Sequence, residues 1–181
     1  MDVSGALSGV KVLDLSRLLP GPYCSMILAD HGAEVVAVED RRFVEDGMFF
    51  RDLYRNKRHI SLNLKALEGK EVFYRMAENA DIILEGFRPG VVERLGVDYE
   101  SVRKINPKII YCSITGYGQT GPLRHRAGHD VNYLSTAGVL DLIGQKESPP
   151  TIPGVQIADI AGAMNGVIGI LLALFARERS G

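Results

Sequence analysis

Short apolar runs recur along the chain, each followed by a segment with helical spacing or by a glycine- and proline-marked turn. The runs at 10–15, 34–38, 60–63, 81–85 and 109–114 read as strands, rich in Val, Ile and Leu. Between them, 23–31 reads as a short helix that ends at Gly32, with Pro20-Gly21-Pro22 breaking the strand before it. A second helix is expected over 67–79 with Val72, Phe73 and Met76 inward, and brief ones over 91–95 and 99–105. Residues 40–59 form a charged loop or short helix, 115–122 a glycine-rich loop and 130–137 a further helix. Three prolines keep 145–154 irregular. Strand and helix alternate as in α/β proteins, so the pattern predicts a Rossmann-like parallel sheet flanked by helices.

The longest apolar stretch, 160–176, is interrupted only by Asn165 and by Gly162, Gly166 and Gly169. Seventeen residues is the lower limit for crossing a bilayer, and Asp159 and Arg177 bracket the run closely. It reads as a core helix, buried on most sides, whose glycines admit a close neighbour. Little follows it to pack on, so the chain reads as part of a longer protein.

Composition narrows the class. A chain of 181 residues with 46% hydrophobic and 24% charged residues can bury one core. A net charge of −1 provides no global field to recruit nucleic acid or an acidic membrane, so neither is expected as a partner. Cys24 and Cys112 match no metal-ligand or redox spacing; no metal site is expected, and the thiols read as reduced, in a cytoplasmic protein. The first residues lack the pattern of a secretory signal.

Strand, turn, helix and a strand ending at Glu39 resemble the first half of a dinucleotide-binding unit. That unit needs Gly-x-Gly-x-x-Gly at the turn, whereas Pro20 and Pro22 remove amide donors here, which argues against NAD. Arg41, Arg42, Arg51, Arg55, Lys57 and Arg58, followed by Lys65, Arg88 and Arg94, form a basic cluster. Such a cluster is either a solvated face or a set of guanidinium forks for the phosphates of one small cofactor. His129, just after the glycine-rich loop, is structural or catalytic. Asp159 is an N-cap for the long helix or a tuned acid–base group beside an apolar surface.

A resemblance bears on both. Leu18-Leu19-Pro20-Gly21-Pro22, Ala29-Asp30-His31-Gly32-Ala33-Glu34-Val35-Val36, Arg55-Asn56-Lys57-Arg58 and Leu62-Asn63-Leu64-Lys65 occur in one order. Glu85-Gly86-Phe87-Arg88-Pro89-Gly90-Val91, Thr115-Gly116-Tyr117-Gly118-Gln119-Thr120-Gly121-Pro122 and Gly128-His129-Asp130-Val131-Asn132-Tyr133 continue it. The succession resembles the class III CoA-transferase superfamily of the formyl-CoA transferase type, also called CaiB/BaiF. Within it, the chain is most similar to the alpha-methylacyl-CoA racemase branch.

The resemblance implies a Rossmann-like large domain that binds CoA. Residues 1–181 would be its N-terminal part, with the second, smaller domain absent and the full-length protein an interlocked homodimer. It implies that Leu62, Asn63, Leu64, Lys65, Gly86, Phe87, Arg88 and Arg94 hold CoA. Arg41 or Arg42 would supply a basic residue after the second strand. Gly128, His129, Asp130, Val131, Asn132 and Tyr133 would line the thioester end. His129 and Asp159 match the racemase acid–base pair, although the family's Gly-Asp is here Ala158-Asp159.

The implied activity is racemisation of a 2-methylacyl-CoA by proton transfer at the α-carbon through an enolate, whose oxygen amides at the start of the 160–176 helix would hold. No tightly bound cofactor is needed, because coenzyme A comes as part of the substrate. CoA transfer with Asp159 as nucleophile is the alternative within the family, and a catalytically silent CoA-binding or assembly module is another.

Overall fold

The computed structural model describes residues 5–40 and 51–180. Among them, strands β1 (Lys11–Asp14), β2 (Glu34–Glu39), β3 (Lys57–Ser61), β4 (Ile82–Glu85) and β5 (Ile110–Ser113) form one parallel sheet. Its order is β3-β2-β1-β4-β5. The helices are α1 (Pro20–Asp30), α2 (Leu67–Ala77), α3 (Val91–Leu95), α4 (Tyr99–Val102), α5 (Asp130–Thr136) and α6 (Ile157–Ser180).

Both faces of the sheet are covered because its central strands are apolar on both. Side chains alternate across a strand, so Val12, Ile82 and Leu84 face one layer while Leu13 and Ile83 face the other. The first layer is closed by Cys24 and Leu28 of α1 and by Ala163, Ile170 and Leu174 of α6. Phe73 and Ala77 of α2, Val92 of α3 and Val102 of α4 close the second. Full burial of Leu28, Ile82, Ile83, Leu84 and Phe73 contributes about 1.5–3 kcal/mol each before the entropy of ordering them.

Three elements differ from the sequence pattern. Helix α1 begins at Pro20, not at residue 23, because proline suits the first helical turn, where amides lack intrahelical partners anyway. The third strand is Lys57–Ser61 rather than 60–63, as β2 pairs Val35 with Lys57 and Glu39 with Ser61. This is an edge strand, so its outward positions are polar and the apolar signal falls after it.

Helix α6 departs most. It is longer than 160–176, and Asp159 is its third residue rather than its N-cap. It is not buried on most sides: Met164, Ile168, Leu171, Leu172 and Phe175 are exposed. Its length and composition would allow it to cross a membrane. Its buried stripe lies on β5 and α1, where a Cβ on Gly166 would come within 3.0 Å of Ile114 Cδ1 and 3.3 Å of Cys24 Sγ. Gly162 also faces Ile114, whereas a Cβ on Gly169 would meet nothing within 4 Å among the described residues. At the far end Arg177 Nη2 donates to Asp81 Oδ1 at 2.8 Å and anchors the helix to the start of β4.

Candidate functional site

In this strand order, the connections after β1 and β4 run in opposite directions, which opens a crevice at the carboxyl ends of the strands. A cleft of about 1400 Å³ occupies that edge. Every strand contributes the residues at or beyond its end: Ser16 after β1, Glu39 on β2, Leu62 to Lys65 after β3, Gly86 to Arg88 after β4 and Tyr117 after β5.

The basic cluster divides on folding. Arg55 is spent on Asp30, with Nη2 2.5 Å from Oδ2, and exposed Arg58 pairs with Glu34 at 3.3 Å. The Lys57 side chain is buried beneath the β1–α1 turn, where Nζ donates to Pro22 O at 2.8 Å and to Ser25 Oγ at 2.6 Å. Burial pulls the Lys57 ammonium below the usual lysine range, and Asp14 pulls it partly back. Arg51, Lys65 and Arg88 line the cleft, joined by Arg17, Arg124 and Arg126, which the sequence pattern did not single out. Arg94 does not; it curls back over Gly90 on α3. Arg41 and Arg42 lie outside the described residues.

The remaining expected residues gather at one end. Gly128, His129, Asn132, Tyr133 and Asp159 line the cleft, whereas Asp130 and Val131 do not. His129 caps α5; its amide donates to Asn132 Oδ1 at 2.9 Å. Tyr133 Oη donates to Gly128 O at 2.6 Å, and its ring sits so close that a Cβ on Gly116 would fall 2.3 Å from it. Tyr117 stands edge-on to Tyr133 with ring centroids 5.1 Å apart, and its buried hydroxyl has no hydrogen-bond partner among the described residues.

Asp159 sits half-buried in the first turn of α6. Burial and then the Asp130 carboxylate hold its carboxyl above the usual aspartate range, while His129 opposes them. Burial, followed by the Asp159 charge, likewise raises the Tyr133 phenol. The Asp159 amide donates to Asp130 Oδ1 and the Ile160 amide to Gln156 O. Two of the first four amides of α6, those of Asp159 and Ile160, are therefore already engaged.

Several structural residues of the site carry weak sequence signals. Asp14 and Glu85 interrupt apolar strands at their carboxyl ends, and both are buried, at 2% and 1% exposure. Asp14 accepts hydrogen bonds from Ser16 and Ser25. Glu85 Oε2 accepts from the Phe87 amide at 2.7 Å and so shapes the Gly86–Arg88 turn, while Oε1 has no hydrogen-bond partner among the described residues. His59 Nδ1 lies 2.8 Å from Glu39 Oε1 on the opposite wall.

A parallel sheet with a cation-lined cleft at its switch point, closed at one end by an imidazole and an acid, defines a Rossmann-like ligand-binding α/β domain. The chain belongs to CoA-transferase family III, whose model matches residues 7–181. It is 46% identical to an alpha-methylacyl-CoA racemase of Mus musculus over 176 residues, 97% of this chain and 45% of that protein. It is 40% identical to a succinyl-CoA:glutarate CoA-transferase of Mus musculus over 187 residues, 97% of this chain and 43% of that one. The crystal structure of a CAIB/BAIF family protein from Brucella suis superposes with a TM-score of 0.92 at 38% identity, covering 98% of this chain and 51% of that protein. The chain thus spans about half the length of these relatives, in a family of enzymes that includes racemases and CoA-transferases.

Proposed function

We propose that the chain is the CoA-binding part of an acyl-CoA racemase that inverts the α-carbon of a 2-methylacyl-CoA thioester. The observation that carries this is that His129 and Asp159 line one cleft, where His129 acts on the Asp159 carboxyl, and that Arg51, Lys65 and Arg88 line the same cleft. The cations suit the phosphates of CoA, and the cleft is large enough for an extended ligand.

Neutral His129 takes the α-proton, and the C–H electron pair passes into the thioester as an enolate. Protonated Asp159 then delivers its proton to the opposite face. The enzyme is left with imidazolium and carboxylate, the pair needed for the reverse direction. The upward displacement of the Asp159 carboxyl favours its starting as the acid. Coenzyme A enters as part of the substrate, and no resident cofactor takes part. The setting is cytoplasmic, and the assembly a homodimer, supported by the exposed apolar face of α6.

Incubation with a chiral 2-methylacyl-CoA in deuterium oxide tests the assignment: epimerisation should accompany α-deuteration. The second reading is CoA transfer, with Asp159 attacking the thioester carbonyl to form a mixed anhydride. The 40% identity to a CoA-transferase favours it. Movement of CoA between acids without α-exchange would establish that reaction instead.

A further inference from the structure

The contact between Asp130 and Asp159 joins two helix starts that are 29 positions apart in the chain. Asp130 is the first residue of α5, directly after His129; Asp159 is the third residue of α6. Asp130 Oδ1 accepts the Asp159 backbone N–H at 3.0 Å. The segment leading into α6 gives its first turn little support. Thr151, Ile152 and Gln156 are exposed, and the buried stripe of the helix begins only at Ala163.

We propose that Asp130 is a positioning residue whose carboxylate fastens the first turn of α6 to the cap of α5 and so fixes Asp159 relative to His129. This matters for turnover only under the acid–base role proposed above. The bond is charge-assisted, and a carboxylate at a helix start is also favoured by the helix dipole. One side chain therefore sets the geometry of two groups on separate elements.

The same carboxylate acts on the charge state of its partner. The groups that face Asp159 from α5 and its cap are Asp130, His129 and Tyr133, and Arg88 reaches the Tyr133 surroundings from the β4 loop. Tyr23 and Cys24 of α1 and Cys112 of β5 pack against α6 further along; burial pushes both thiols up and keeps them neutral. Asp130 is the acid in direct contact with Asp159, whereas Asp14 faces Cys24 and Glu85 faces Cys112. Asp130→Asn keeps an acceptor oxygen and removes the charge; Asp130→Ala removes both.

The test is carboxyl-carbon NMR of aspartate-labelled protein, with the Asp159 signal assigned through Asp159→Asn, together with exchange of the Asp159 amide. Asp130→Asn should move the Asp159 titration to lower pH and leave its amide protected. Asp130→Ala should speed that amide's exchange by at least about tenfold. In turnover, kcat should fall in Asp130→Ala with KM little changed, and Asp130→Asn should shift the acid side of the pH profile downward. An unmoved titration in Asp130→Asn with unmoved exchange in Asp130→Ala would overturn the positioning role. The NMR readouts do not need activity. Shifts as expected in a protein that never exchanges α-protons would uphold the positioning and refute the racemase assignment.

Discussion

Lys57 Nζ lies 3.6 Å from Asp14 Oδ2, with 0% of one side chain and 2% of the other exposed. The pair spans the β2 strand from β3 to β1 and, through Ser25 and Pro22, ties the start of α1 to the sheet. It holds in place the Ser16–Leu18 loop that forms one cleft wall. Removing one partner would leave a buried charge uncompensated. Lys57→Ala should therefore lose about 3–5 kcal/mol in urea unfolding. Arg58→Ala, at the next residue, should lose at most about 1 kcal/mol, because its pair with Glu34 is exposed.

Burial holds the Glu85 carboxyl above the usual glutamate range, against the Ser113 hydroxyl and the Phe87 amide, which favour its ionised form. A raised folded-state value means the stabilising contribution is complete below the unfolded value of about 4.3 and is lost as pH rises through the folded one. Glu85→Gln preserves an acceptor for the Phe87 amide and cannot ionise. Its melting temperature should fall less than that of the parent as pH is raised from the acid side, as thermal scans across that range would record.

The Tyr117 hydroxyl is buried without a partner among the described residues, whereas its ring packs on Tyr133. Tyr117→Phe keeps the ring contact and removes the unsatisfied donor. It should raise stability by about 1 kcal/mol, the cost of a buried polar group left unpaired. Chemical denaturation that showed a loss instead would mean the hydroxyl has a partner in solution.

Arg88 lines the cleft and Arg94 does not. Calorimetry with coenzyme A should show Arg88→Ala weakened by about 1–3 kcal/mol, the range of a lost charge-assisted hydrogen bond. Arg94→Ala should bind as the parent does.

The fold was legible because periodicity reports burial directly: four strands and all six helices fall within a few residues of their expected spans. The exception among the strands, Lys57–Ser61, is at the sheet edge, where polar outward positions erase the signal. The candidate residues near His129 and Asp159 were legible through linked motifs. Charge alone could not sort the basic cluster, since a basic residue looks the same in sequence whether it meets an acid, as Arg55 and Arg58 do, a carbonyl, as Lys57 does, or a ligand. The open face of α6 was illegible for a similar reason, as apolar composition records what must be covered, not whether this chain covers it.

Two of the first three residues of α1 are prolines, so the turn where a Rossmann domain usually grips phosphate has few amides to offer. A phosphate entering the cleft would then meet long cationic side chains such as Arg51, Lys65 and Arg88. Ionic strength then becomes the dial on affinity. With a Debye length of about 8 Å at physiological salt, the pull of these cations is largely confined to the cleft, and added salt should loosen the ligand steadily.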